Sequence, residues 1–558
     1  MVKLFRAVGS GWRVLAGLVA GVSVAVFLSG CGGGGGGSSS SSSGSSSTGS
    51  LTVRLTGGSS AGFTHFYVTL RAMAFNADAS KPWDANDSTW KVVNFSSPIQ
   101  VDLAQLIIGS ASPFQTLLSG QSVPVGTYLQ MRLFPASSDG QAVDANGATT
   151  PVEWPDALLG VRVPASFTIS KNASTQLYLQ WDIAHSLVPL ASGGALTLRP
   201  NLATVDVSSS SGAIKGYLDA AQFCPGSSRS GCISDVEITA QSLSPDSTRH
   251  VVVWSTQPSG AATAQCSTCV QFMLFPLPPG NTFDVVIRGR NMKPIVVKSV
   301  MVSALDLLAS SGTRLNPAGG NSTTSATIVP TLVADESPVS LSVSPGASGD
   351  ASLWIGQTPV GSAPYEWASA AADPISGQFP LSSYLPSEAV ISVATYRDSS
   401  TTLSFSDEAL SETGSSYKMK AYGTSYDVSS ALQTVAPPSA ASAASPDPNV
   451  SFNGSINVTL TAPSSTTFNR AWLVVSDVNG VVYTRDVSSY LTASGSLPLP
   501  GLARGAYAAD QLGGGTAVYG VSIRCWNTAS SQPAQWVRAT SAVDLRSATS
   551  GSVSLTLP

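Results

Sequence analysis

Six cysteines, three histidines and scattered serine, aspartate and tryptophan residues carry the reactive chemistry of this 558-residue chain. So few histidines leave few general bases and few metal ligands. Cys224, Cys232, Cys266 and Cys269 fall in one stretch. Four such thiols allow two disulfides, a zinc site of four thiolates, or a redox pair at Cys266-Ser-Thr-Cys269. The spacings are not those of a zinc ribbon, and no strand–helix–strand pattern surrounds Cys266 and Cys269. Disulfides are therefore the expectation, with Cys224–Cys232 and Cys266–Cys269 as the local loops. Cys525 is left over and reads as a buried, small apolar residue. Gly58-Ser-Ser-Ala-Gly62 spells G-x-S-x-G, but a nucleophile elbow needs a helix after it. Here a strand pattern follows, so a plain Gly/Ser loop is expected. Ser415-Ser-Tyr-Lys418 spells S-x-x-K without its partner motifs. Asp139, Asp144 and Asn146, beside Gly140 and Gly147, offer either calcium oxygens or, as expected here, a hairpin turn. Asp182 and His185 read as a hydrogen-bonded pair at a strand end rather than a catalytic dyad. Trp83, Trp90 and Trp154 stand in loop-like surroundings and are the candidates for a ligand surface, since an exposed indole can stack on a flat ligand. No catalytic residue, metal or cofactor is expected.

Strands must position these groups. Leu51-Thr-Val-Arg-Leu55 alternates apolar and polar residues, the period of a half-buried strand. The same alternation runs through 66–70, 129–133, 177–181 and 196–198, and further strands are expected at 236–240, 250–254, 283–287, 295–302, 341–343, 390–395, 456–460, 471–475 and 553–557. Gly, Pro, Asn, Asp and Ser punctuate them. Helical patterns are few: 102–108, 155–159 and 302–309. Many short strands with almost no crossover helices predict an all-β chain of tandem antiparallel sandwiches or barrel-like domains. Low-complexity breaks divide it into 51–207, 212–330, 336–433 and 449–558.

Composition limits the function. Charged residues make up 11% of the chain, the net charge is −4 and the pI is about 5.4. A nucleic-acid partner needs a basic footprint, which is missing. With 43% hydrophobic residues there is apolar material for several cores.

The first 30 residues read as an address. Lys3, Arg6 and Arg13 precede an uncharged apolar run from Val14 to Leu28, a length that suits a signal peptide better than a membrane span. Leu28-Ser29-Gly30-Cys31 then resembles the lipobox of bacterial lipoproteins. That resemblance implies cleavage before Cys31, acylation of its thiol, and attachment to the membrane through the lipid. Gly32 after the cysteine implies the outer membrane. Residues 31–50 are a Gly/Ser tether.

Several segments of 51–205 resemble, in order, the bacterial lipoprotein domain family DUF4382. Leu51–Thr56 and Phe66–Leu70 resemble its opening strands. Trp90 and Val101–Leu106 resemble the approach to its VDLL motif, and Val123–Leu133 resembles LPAGxYxQIRL. Gln180-Trp-Asp-Ile-Ala-His-Ser186 and Leu198–Pro200 resemble its DxDxxxS and LxP close. Where the family often has TDAP in the first loop, this chain has Thr56-Gly57-Gly58-Ser59. The family implies a fold and a location and brings no activity. Gly212–Tyr217, Phe272–Gly280 and Phe283–Ile287 resemble the carboxypeptidase regulatory-like, transthyretin-type sandwich, an accessory module. The function expected is that of a non-enzymatic, outer-membrane-anchored lipoprotein presenting a surface to envelope proteins or glycans. A carbohydrate- or peptide-binding accessory lipoprotein is the alternative, and a hydrolase with an unrecognised site a third.

Overall fold

The computed structural model describes residues 47–558 apart from 61, 79–80, 82, 109–111, 137–138, 154–158, 164, 190–195, 209, 224–234, 245–246, 262–266, 291, 305–312, 315–327, 329, 332–337, 344–351, 372–377, 387, 398–402, 413–415, 423–431, 437–439, 442–450, 478–479, 505–516 and 530–533. Leu28, Ser29, Gly30, Cys31, Trp154, Cys224, Cys232 and Cys266 thus lie outside the described residues. Among the described residues no helix is long and apolar enough to cross a membrane.

Strands dominate, as the alternation predicts. In Thr48–Gly57, Leu51, Val53 and Leu55 are fully buried while Thr52 and Arg54 are partly exposed. Of the predicted helices, 102–108 supplies only a 3-10 turn at Leu103–Gln105. Residues 303–304, inside the predicted helix 302–309, form a short strand against Gly212 and Ala213. Residues 154–158 are not described. The one α-helical turn described is Ala220–Phe223.

In the first domain a four-stranded sheet runs Asn201–Asp206, Ser174–Asp182, Thr48–Gly57, Gln115–Pro124. It packs on an eight-stranded sheet centred on Phe63–Asn76. Leu51, Val53 and Leu55 from the first sheet and Phe66, Val68 and Leu70 from the second share one core. Most pairings are antiparallel, but Thr48–Gly57 lies parallel to Ser174–Asp182.

The second and third domains share a six-stranded sheet. Ile295–Met301 from the second pairs in parallel with Val390–Thr395 from the third. The central strands are buried on both faces. Val285, Ile287 and Val297 join the second domain's core, whereas Val286 and Val296 join the third's. The fourth domain closes its own core around Ile456, Leu473, Ile523 and Cys525.

Candidate functional site

The strand Ser174–Asp182 ends at the face where the first domain meets the second. Half of that seam is aromatic. Tyr178 packs edge-on against Phe114 at 4.8 Å and Phe275 at 5.6 Å, and Arg54 Nη1 donates to the Tyr178 hydroxyl at 2.6 Å. The other half is polar and is built by two loops of the first domain. Gly58 N–H donates to Trp181 O at 2.9 Å and Ala184 N–H to Ser59 O at 3.2 Å, fixing the first loop on the turn that follows Asp182.

Into this junction the second domain inserts Ser255. Its N–H donates to Gln180 Oε1 at 3.0 Å, and Gln180 Nε2 donates to its carbonyl at 2.6 Å. The Gln180 amide therefore pairs with Ser255 as a neighbouring strand would. The Ser255 hydroxyl donates to Asp182 Oδ2 at 2.6 Å. His185 Nδ1 lies 2.7 Å from the same oxygen, and its Nε2 lies 3.8 Å from Glu237 Oε1 of the second domain. Arg288 closes the row on the other oxygen of Glu237.

The side chains of Asp182 and His185 are only 4% exposed. Burial pulls the His185 imidazole toward neutrality, but the Asp182 and Glu237 carboxylates and the hydrogen bond to Asp182 outweigh it and raise its pKa to about 9. Burial likewise pushes the Asp182 carboxyl up, yet His185 and the Ser255 hydroxyl bring it below the usual value. Two cations then face the Asp182 and Glu237 carboxylates, and the Glu366 charge also acts on His185.

That balance decides what the cluster can do. The ligand atoms of Asp182, His185 and Glu237 lie within 4.8 Å of one another, close enough for a metal ion. A divalent ion would have to expel the His185 proton and compete with Arg288 for Glu237. A serine nucleophile activated by histidine needs its hydroxyl on an imidazole nitrogen. Here the carboxylate sits between Ser255 and His185, and Ser255 is fully buried. Asp182 and His185 form the strand-end pair, with partners from another domain that the local sequence does not reveal. The G-x-S-x-G serine, Ser60, is also fully buried, and its hydroxyl has no hydrogen-bond partner, and so no base, among the described residues.

The other two histidines also face aspartates. His65 Nδ1 lies 2.6 Å from Asp102 Oδ2. At the seam of the second and third domains His250 Nε2 lies 3.3 Å from Asp284 Oδ2. Tyr365 of the third domain stacks on His250 at 4.2 Å and donates its hydroxyl to the same oxygen at 2.6 Å. Burial, then the Asp284 charge, push the Tyr365 phenol far above its ordinary value.

The remaining candidates resolve one by one. Cys269 is buried and disulfide-bonded. Cys525 is a buried free thiol, pushed by burial up to about 12, which removes it as a nucleophile. Asp144 Oδ1 accepts the N–H groups of Asn146 and Ala148, both at 2.8 Å, and Gly147 has φ +81°, so this segment is a hairpin turn. Lys418 of the S-x-x-K segment donates to Thr434 Oγ1 at 2.7 Å. Trp90, expected on a ligand surface, is instead buried, with Arg132 5.3 Å from its ring centroid. Trp83 keeps part of its ring in solvent and leans on Trp90 and Phe134.

Residues 48–200 match the family described as "Domain of unknown function (DUF4382)". The first domain is a DUF4382 domain. Within the matched residues, Gln180 to Ser186 is the segment that grips the second domain. Among curated proteins none matches the chain. Solved structures similar to it include the TIE protein of Bacillus anthracis, at 8% identity and TM-score 0.13 over 88% of this chain and 68% of that one. The major pilin SpaA of Corynebacterium diphtheriae aligns at 10% identity and TM-score 0.12, over 62% of this chain and 100% of that one. Two B repeat units of the collagen-binding protein of Staphylococcus aureus align at 6% identity and TM-score 0.11, over 91% and 99%. Superpositions this loose carry nothing about what the chain does.

Proposed function

We propose that the chain is a non-catalytic, lipid-anchored protein of the bacterial outer membrane, which holds its DUF4382 domain in a fixed relation to further β-domains and presents their surface to envelope proteins or glycans. The observation that carries this reading is the order Ser255, Asp182, His185. The residue types of a hydrolase meet there, but in an arrangement that fastens two domains and shuts out solvent. The anchor rests on the sequence of residues 28–31 and on the tether after it. The second domain fits the accessory role of a carboxypeptidase regulatory-like sandwich.

Cell fractionation tests the anchor. Cys31→Ser should move the protein from the membrane to the soluble fraction, and persistence in the membrane overturns the lipoprotein reading. An ester- or peptide-cleaving activity of the purified chain that Ser255→Ala abolishes would overturn the non-catalytic reading.

A further inference from the structure

The first and fourth domains face each other across a cleft of about 1100 Å³. Trp83 lines it on one side, and Thr540, Ser541, Asp544 and Arg546 line it on the other. The indole is propped from behind, 5.1 Å from Trp90 and 4.6 Å from Phe134 between ring centroids. A propped ring with one part in solvent has little side-chain freedom left to lose on contact.

Three basic and four acidic side chains line the same space. Much of that charge is already matched: Lys81 lies 2.8 Å from Asp87, and Arg546 Nε donates to both oxygens of Asp544 at 3.0 and 3.1 Å. So balanced a cleft has little field to draw in an anion or a cation. It is nevertheless dense in uncharged donors and acceptors: Asn86 and Asn94 on one wall, Thr540 and Ser541 on the other. An apolar ligand would strip these groups of water without replacing the hydrogen bonds. A ligand with many hydroxyls and no charge replaces them, and its flat apolar ring faces suit an indole.

We infer that this cleft binds a neutral oligosaccharide, stacked on Trp83 and hydrogen-bonded from both domains. At about 1100 Å³ the cleft slightly exceeds the roughly 300–1,000 Å³ usual for ligand sites, which favours an oligomer over a single ring. The inference does not depend on the lipid anchor.

The test is a neutral-glycan array probed with the full chain in detergent, followed by calorimetric titration of any glycan that binds. Trp83→Ala should weaken binding about tenfold or more, the usual effect of removing an aromatic anchor. Trp83→Phe should retain most of it. Arg546→Ala and Asn86→Ala, which remove exposed or half-exposed groups on opposite walls, should each weaken binding without lowering the melting temperature. These two decide the matter if Trp83→Ala fails to fold. Cys31→Ser should bind as well as the parent, which separates failure of the cleft from failure of the anchor. Binding of no neutral glycan, or binding indifferent to changes on both walls, overturns the inference. Peptide capture that the same substitutions abolish overturns it too, by giving the cleft to another ligand class.

Discussion

Raising the pH should unlatch the first domain from the second. His185 is held at a pKa of about 9 in the folded chain, against 6.5 for a free imidazole. A pKa raised by folding adds stability below the unfolded value, and that stability fades as pH climbs through the folded value. The His185 contribution is therefore complete below pH 6.5 and lost by about pH 9. At about 1.4 kcal/mol per tenfold change in proton affinity, it amounts to about 3 kcal/mol. Asp182 carries the other half of the same interaction, so this energy is counted once. Its lowered pKa means that its share is present above pH 3.8 and is lost on acidification. The latch is thus complete between about pH 4 and 6.5. Urea denaturation of the parent and of His185→Gln at intervals from pH 6 to 10 reads the pH dependence that the His185–Asp182 interaction brings to stability. The stability gap between the two proteins should shrink by about 3 kcal/mol over that range. A gap that stays constant with pH would refute the claim that the folded chain holds His185 protonated.

Two further outcomes follow from the same seam and from the fourth domain's core. A Cβ on Gly58 would stand 2.5 Å from Ser255 Oγ and 3.0 Å from Asp182 Cα. Gly58→Ala should therefore displace the Ser255 hydroxyl, cost about 1–3 kcal/mol, and speed proteolysis between the first two domains. Cys525 should resist iodoacetamide in the native chain at pH 8 and react fully in urea, because its thiol is fully buried and raised to about 12. Fast native labelling would contradict that burial.

The sequence makes the strands legible because each half-buried strand writes its own alternation, as Leu51, Val53 and Leu55 do. Pairings between distant strands leave no local mark. Nothing between residues 58 and 173 announces that Thr48–Gly57 will lie parallel to Ser174–Asp182. The shared sheet of the second and third domains does leave a trace. Val285-Val286 and Val296-Val297 are adjacent apolar pairs, as expected where a strand is covered on both faces. Asp182 and His185 could be paired from their spacing, whereas Ser255, Glu237 and Arg288 arrive from another domain. The burial of Trp90 is illegible for the same reason, because its cover is equally remote. Arg132 and Phe134, two residues apart on one strand, project toward the same aromatic corner.

The low charge of the chain takes on a specific meaning at the seams. With charged residues at 11%, few ion pairs are available, yet two of the three histidines meet their aspartates where domains join. The aromatic half of the first seam, Tyr178 on Phe275, supplies adhesion that tolerates sliding, because apolar contact is non-directional. The polar half does not tolerate it. Gln180 engages both the N–H and the carbonyl of Ser255, and a shift of one residue would leave buried donors and acceptors unpaired at about 1–3 kcal/mol each. Reciprocal bonds recur at the second seam. Gln241 donates to Glu366 O at 2.8 Å and accepts the Glu366 N–H at 2.9 Å. One side-chain amide pairing with one backbone unit at each junction fixes the register of three domains. The scarce buried charges lie at those same junctions, where Glu237 faces His185 and Tyr365 donates to Asp284 across the domain boundary.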